Sequence, residues 1–154
     1  MSTIHYTRYD RDLSIAPHLE HILMAINNDF SPPLEDWVEI ADYARKMAGK
    51  AVCWLAYCNN EVVGFAACYV NKSPLYSFWT MLAIRKEYRN RMIALQIEPI
   101  IITYCREYGS SGIKAEVDPR HVDLIKLHRH FGFIPTIEHT NEQGRSWIEL
   151  QLSF

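Results

Sequence analysis

The sequence predicts an α/β fold: a mixed, mostly antiparallel sheet with helices on both faces. Three observations predict it. An apolar run, Ser77–Ile84, leads through a basic turn, Arg85–Arg91, into a helical pattern, and a further strand, Ile113–Val117, follows. A strand–helix–strand unit implies one parallel pair crossed by that helix. Before it, Ala51–Tyr57, Val62–Val70 and Tyr76–Ile84 form a three-strand meander, turned first at Asn59-Asn60 and then broken at Ser73-Pro74. Helical patterns stand on either side of that meander.

Taken in order, Ile4–Tyr9 alternates apolar and polar residues and reads as a first strand. Leu13–Asn27 places Leu19, Ile22, Leu23 and Ile26 on one helical face. Asn28–Pro33 is a turn cluster, because two consecutive prolines cannot continue a helix. Leu34–Ala48 reads as a second helix with Trp37, Ile40, Ala44 and Met47 as its stripe and Gly49 beyond its end. After the meander and the basic turn, Ile93, Ile97, Ile100, Ile101, Tyr104 and Tyr108 repeat at helical spacing, and Gly109–Gly112 stops the helix. Pro99 falls inside it, removes the bond to Leu95 and predicts a kink. Asp118 and Pro119 suit an N-cap and first position, so a helix is expected from there to Phe131, ended by Gly132. Ile134–His139 and Ser146–Leu152 close the chain as a hairpin joined by Asn141–Gly144.

A chain of 154 residues, 49% apolar and without repeat, linker or low-complexity tract, is expected to form one domain over residues 1–154. Its net charge of −2, with acids and bases mixed, gives no nucleic-acid footprint. Cys53, Cys58, Cys68 and Cys105 lack CxxC spacing and sit in apolar runs, as buried thiols do in a reducing compartment. The first residues lack an apolar signal core, and no apolar run approaches the roughly 20 residues of a membrane helix. A cytoplasmic protein with no membrane or nucleic-acid partner is expected.

The junction at Met81–Ala94 carries the chemistry. The first amides of a helix have no intrahelical partner, and the helix dipole adds partial positive charge there. Arg89 and Arg91 add full charges beside it. A strand that ends in a basic loop and feeds a helix start is therefore a site for a phosphate or pyrophosphate.

At these residues the chain resembles the GNAT (Gcn5-related) N-acetyltransferase superfamily. Glu61–Ala66 (EVVGFA) looks like its third strand. Ile84-x4-Arg89-x2-Met92-x-Ala94 lies on its V-x4-[QR]-x2-G-x-[GA] phosphate loop. Ala115–Val117 (AEV) and Leu127–Phe133 (LHRHFGF) match its L-E-V strand and its L-[YH]-x3-G-F ending. Phe30–Leu34 (FSPPL) looks like a poorly characterised bacterial branch. The resemblance covers the chain from about Phe30 onward. It implies a GNAT-like acyl-CoA N-acyltransferase fold, whose parallel strand pair splays apart to admit acetyl-CoA.

The resemblance further implies residue roles. Arg89, Asn90, Arg91, Met92, Ile93 and Ala94 would hold the CoA pyrophosphate, and backbone amides around Leu82 and Ile84 would hold the pantetheine arm and thioester oxygen. Met92 departs from the family, which usually has glycine there. Helical dihedrals would make methionine tolerable, whereas a need for close backbone approach would weaken CoA binding. His128 stands where many members have a tyrosine acid, and an imidazolium suits protonation of a thiolate. Its bland alternative is a partly buried helix residue. His121, in place of the usual asparagine, is assigned beside the cofactor. Seven residues separate the two histidines, roughly 10 Å along a helix, too far for one metal ion. His18 and His21 read as a polar face, so no metal site is expected. Glu116 is either a base acting through water or a satisfied strand carboxylate, and Thr80 and Tyr76 are minor candidates. Phe30, Pro32, Pro33 and Trp37 form either an acceptor lip or a core corner.

The expected function is transfer of an acetyl group from acetyl-CoA to a primary amine of a small-molecule acceptor, of amino sugar or amino acid type, by direct attack. The alternative is a catalytically degenerate CoA-binding or regulatory module, motivated by Met92, the missing acid in Ser77–Ile84 and histidine in place of tyrosine. A homodimer is left open as the partner state.

Overall fold

Along Ile4–Asp10 (β1), Ile4, Tyr6 and Tyr9 are half-buried and the other residues are exposed, and β1 lies at the sheet's edge. The structure, a computed structural model, describes residues 3–154. The elements that follow are α1 (Ala16–Ala25), α2 (Ile40–Lys50), β2 (Val52–Cys58), β3 (Glu61–Tyr69), β4 (Ser77–Ile84), α3 (Ile93–Tyr108), β5 (Gly112–Val117), α4 (Val122–His130), β6 (Ile134–Thr140) and β7 (Ser146–Ser153). The seven strands are ordered β1-β2-β3-β4-β5-β7-β6. The β4–β5 pair is parallel and the pairs β1–β2, β2–β3, β5–β7 and β6–β7 are antiparallel. This is the mixed, mostly antiparallel α/β class that the sequence predicts.

The chain divides into two compact units. One comprises residues up to Cys68 together with Met81–Ile97, and the other comprises Tyr69–Thr80 and Glu98–Phe154. Strand β4 and helix α3 each give residues to both.

In the first unit, Leu19, Ile22 and Leu23 of α1 and Ala44, Met47 and Ala48 of α2 are buried, and the two helices pack together. Strand β2 is apolar on both faces and almost wholly buried. Asn59 and Asn60 turn the β2–β3 hairpin with φ 51° and 64°, the left-handed conformation that asparagine tolerates better than most residues. Helix α2 begins six residues later than the apolar stripe predicts. Leu34–Asp36 is instead a short 3-10 turn, and Glu39 caps α2 by accepting from the Asp42 amide at 2.6 Å. Gly49 therefore lies inside α2 rather than after it.

In the second unit, Ile113, Ala115 and Val117 of β5 are buried, along with Ile101, Ile102 and Cys105 of α3, Phe133 and Leu150. Asp118 does not cap α4. Its carboxylate accepts from the Arg120 backbone at 2.9 Å and from the Arg120 side chain, making a separate turn, and His121 takes the N-cap position. Gly132, at φ 102°, follows the end of α4, as a left-handed stop does. Pro99 stands inside α3, which runs through it as one helix. The four cysteines are all buried.

Candidate functional site

The second half of β4 carries the first group of candidates. Met81 and Ala83 are buried, while Leu82 and Ile84 face the other way and are half-buried. The β4 backbone runs close to β3 here: a Cβ added at Gly64 would sit 2.9 Å from the Ala83 carbonyl oxygen and 3.3 Å from the Ile84 Cα. Glycine in the EVVGFA segment is thus what lets this part of β4 take its place. The parallel register with β5 comprises three pairs, all at the opposite end of β4: Ser77↔Ile113, Phe78↔Lys114 and Trp79↔Ala115. Strand β5 itself continues with β7 as far as Val117↔Ile148.

Beyond Ile84 the basic segment forms a 3-10 turn, Lys86–Arg91, ended by Met92 at φ 60° and ψ 26°. Met92 is left-handed, not helical. Its carbonyl accepts the first bond of α3, from the Gln96 amide at 3.0 Å. The first amides of α3, those of Ile93 and Ala94 among them, accordingly have no partner within the helix. The junction is open: Met92, Arg89 and Asn90 are exposed, and Arg91 and Ala94 are half-buried. Only the Ile93 side chain is buried, in a cluster with Ala56, Cys58 and Val63. That anchor holds the head of α3 against the sheet. The Tyr6 hydroxyl donates to Gln96 Oε1 at 2.6 Å, and burial pushes its pKa up to about 12.

The arginines are already engaged. Arg85 donates to Glu61 at 2.5 Å and lies 3.3 Å from Glu87; the Glu61 hydrogen bond raises its pKa. Arg89 donates through Nε to the Ile84 carbonyl at 3.1 Å and forms an ion pair through Nη2 with Asp29. Asp29 precedes Phe30, whose ring meets the edge of Trp37 at 5.8 Å between centroids. The proline- and aromatic-containing turn after α1 and the basic turn after β4 are therefore linked through one guanidinium. Both partners of that ion pair are more than two-fifths exposed, so a bound anion would have access to the same group.

In the second unit, His128 faces inward and is 2% exposed. The imidazole lies 5.0 Å from the Trp79 ring at 77° and 5.1 Å from Phe133. Its Nδ1 is 2.9 Å from Glu98 Oε2. Glu98 is wholly buried, and its Oε1 has no hydrogen-bond partner. Sequence reasoning missed Glu98, because an acid in a helix reads as a solvent-facing residue. The available signal was its place beside Ile97 and Ile101 on the buried stripe.

His121 is exposed at the head of α4. Glu116 is exposed on β5, opposite Glu149 of β7. The Tyr76 hydroxyl is 2.8 Å from Ser153 Oγ and accepts from Gln151 Nε2 at 3.2 Å. Thr80 is half-buried. Thus Leu82, Ile84, Arg89, Asn90, Arg91, Met92, Ile93 and Ala94 come together in one unit, and His121 and His128 belong to the other. His18 and His21 are exposed on α1. Among the described residues no group of three or more His, Cys, Asp or Glu side chains is placed to hold a metal ion, and no helix is long and apolar enough to cross a membrane.

Compared by sequence with curated proteins, the chain matches none. Solved structures do match. A protein of Acinetobacter baylyi described as an acetyltransferase superposes with a TM-score of 0.79 at 18% identity, over 100% of this chain and 94% of the other. The ribosomal-protein-S18-alanine N-acetyltransferase of Escherichia coli superposes with a TM-score of 0.77 at 16% identity, over 97% and 94%. A Bacillus anthracis structure named for streptothricin acetylation, in complex with acetyl coenzyme A, gives 0.59 at 19% identity, over 68% and 63%. At such identities these likenesses establish the fold. The sequence profile of the acetyltransferase (GNAT) family matches residues 17–133, from within α1 to the buried Phe133 after α4, and so covers both the basic junction and His128. The chain belongs to the acetyltransferase (GNAT) family.

Proposed function

We propose that this protein transfers an acetyl group from acetyl-CoA to the primary amine of a small acceptor of amino sugar or amino acid type. The observation that carries the reading is the open head of α3, preceded by a left-handed residue and flanked by arginines at the end of β4. Such a junction offers several amides and positive charge to one anion. The solved structures named above are, by their names, of enzymes acting on an alanine of ribosomal protein S18 and on streptothricin. The half-buried Phe30 and Trp37, in edge contact beside Asp29, support a compact acceptor with a flat face.

In this reading, amides from Met92 to Ala94 with Arg89, Asn90 and Arg91 hold the pyrophosphate, Leu82 and Ile84 offer backbone groups to the pantetheine arm, and His121 lies near the cofactor. Bound acetyl-CoA supplies the activated acetyl thioester. The acceptor nitrogen bonds to the acetyl carbon while the carbon–sulfur bond breaks toward sulfur. His128 hands a proton to the sulfur through Nε2, and the acceptor loses one N–H proton to solvent, which balances the step. With Nδ1 occupied by Glu98 and the ring held by Trp79 and Phe133, Nε2 is the nitrogen left for this work. Since His128 is almost wholly buried, the substrate must come to the ring.

The test joins acetyl-CoA calorimetry to a thiol-release assay over amino sugars, amino acids, polyamines and short peptides with free N-termini. Saturable release with a small amine, and a loss of about 10²-fold in kcat for His128→Ala, are expected. No binding heat and no release across the panel would remove the reading and leave the non-catalytic alternative, which Met92 favours. Turnover unchanged in His128→Ala at every pH would end the histidine's assignment.

A further inference from the structure

Glu98 is a costly polar placement. It is 0% exposed, on the buried side of α3 between Ile97 and Ile101. One oxygen faces His128 Nδ1 at 2.9 Å and the other has no partner. A buried carboxyl is stabilising only when its hydrogen-bonding capacity is met, and a half-satisfied polar pair is worse for stability than apolar residues of the same volume. Packing alone thus gives no reason for an acid here. The imidazole does give one. It is walled by Trp79 and Phe133, which fix the ring plane but do not choose between its two nitrogens. A carboxylate at Nδ1 makes that choice, because it accepts only from a protonated nitrogen.

We propose that Glu98 is a positioning residue that holds the His128 proton on Nδ1 and so presents Nε2 as the atom that exchanges a proton with the departing sulfur. The inference rests on the reading of His128 as proton donor. Glu98 touches no substrate. In the acid form of the ring both nitrogens carry protons: Nε2 gives its own to sulfur, and Nδ1 keeps the one shared with Glu98. The neutral ring is then left in the tautomer able to take up a proton at Nε2 from water, and no other group need change its charge.

Two measurements test this. The first uses the wild-type protein: the two-bond 15N–1H spectrum of the histidine rings should show His128 protonated at Nδ1, and an Nε2–H tautomer with bare Nδ1 would overturn the proposal. The second is a double-mutant cycle. Glu98→Gln keeps the shape of the side chain and should lower kcat by at least about tenfold, with KM for acetyl-CoA unchanged. In a His128→Ala background the same substitution should change kcat no further. An equal loss in that background would mark Glu98 as merely structural and overturn the proposal. Full activity in Glu98→Gln with activity lost in His128→Ala would sink this inference alone. Full activity in His128→Ala would remove the underlying assignment as well.

Discussion

Replacing Met92 with glycine should stabilise the protein, and the gain can be worked from the backbone. At φ 60° and ψ 26° the Cβ of any L-residue crowds its own backbone, at a cost of roughly 1–2 kcal/mol. Glycine removes that cost but returns roughly 0.4–1 kcal/mol through the greater freedom of the unfolded chain. The side chain itself contributes little, since Met92 is 58% exposed. The net expectation is a gain of about 0.5–1 kcal/mol, which for a chain of this length is about 2–3 °C in Tm. Met92→Ala is the control, because it removes the thioether but keeps the Cβ, and it should stay within about 0.5 kcal/mol of the wild type.

The pair of variants, measured by calorimetric unfolding, isolates the Cβ. A Met92→Gly protein no more stable than Met92→Ala would refute the assignment of left-handed strain. Affinity is a separate question. Strain present in both the free and the bound protein cancels from binding, so stabilisation alone predicts no change in Kd. If the Cβ also keeps phosphate oxygens from the backbone, Met92→Gly tightens CoA, while Met92→Ala does not. A difference near 1 kcal/mol would read as about fivefold in titration calorimetry.

Other outcomes follow from the same geometry. Arg89→Ala should cost under about 1 kcal/mol in stability, because its ion pair with Asp29 is exposed, yet weaken CoA at least tenfold if Arg89 meets phosphate. Asp29→Asn should leave CoA binding intact or tighten it, and equal weakening in both variants would show that only the link between the turns matters. Gly64→Ala should destabilise by about 1–3 kcal/mol, because the new Cβ meets the backbone of Ala83 rather than a movable side chain; an unchanged Tm would refute that close approach. Hydrogen bonds from the Arg120 side chain hold the Asp118 carboxyl below its usual range. The unfolded chain therefore takes up that proton first, near pH 4, so the contribution is present above that pH and lost as pH falls through the folded value. Asp118→Asn should lose less stability at pH 3 than at pH 6 in urea unfolding. Equal losses at both would contradict the assignment.

Much of this was legible where local chemistry and the fold agree. Asn59-Asn60 marked a turn because asparagine accepts positive φ, and both residues adopt it. The apolar–basic–apolar change across Ser77–Tyr108 marked strand, junction and helix, and the boundaries of β4 and α3 fell where the pattern placed them. Errors arose where two caps competed. Asp118 satisfies Arg120 instead of a helix start, and Glu39 supplies the cap of α2 that the stripe from Leu34 did not require. The handedness of Met92 was beyond periodicity, since a residue between a turn and a helix has no repeat to read. Glu98 was hidden for a different reason: its place on the buried stripe of α3 is a local signal of burial, but its pairing with His128 joins residues 30 apart, and the stripe does not name that partner.

Those two residues share a stretch with Pro99, and the coincidence is informative. Within eight positions the chain places a methionine at positive φ, an acid in the core and a proline inside a helix. Each contradicts local preference, and together they span the head and second turn of one helix. Asparagine tolerates the left-handed conformation at positions 59 and 60, whereas Met92, like Arg11 at φ 51°, is not of that tolerant class. A helix selected for packing alone would carry glycine, leucine and alanine at positions 92, 98 and 99. Departures from local consistency concentrate where structure is bent to a task. Here they bracket the open amides of α3 at one end and the imidazole's partner at the other. The Met92 variants and the Glu98 cycle therefore probe separate parts of one helix, and a result in which both positions behaved as ordinary packing would leave that concentration without a functional cause.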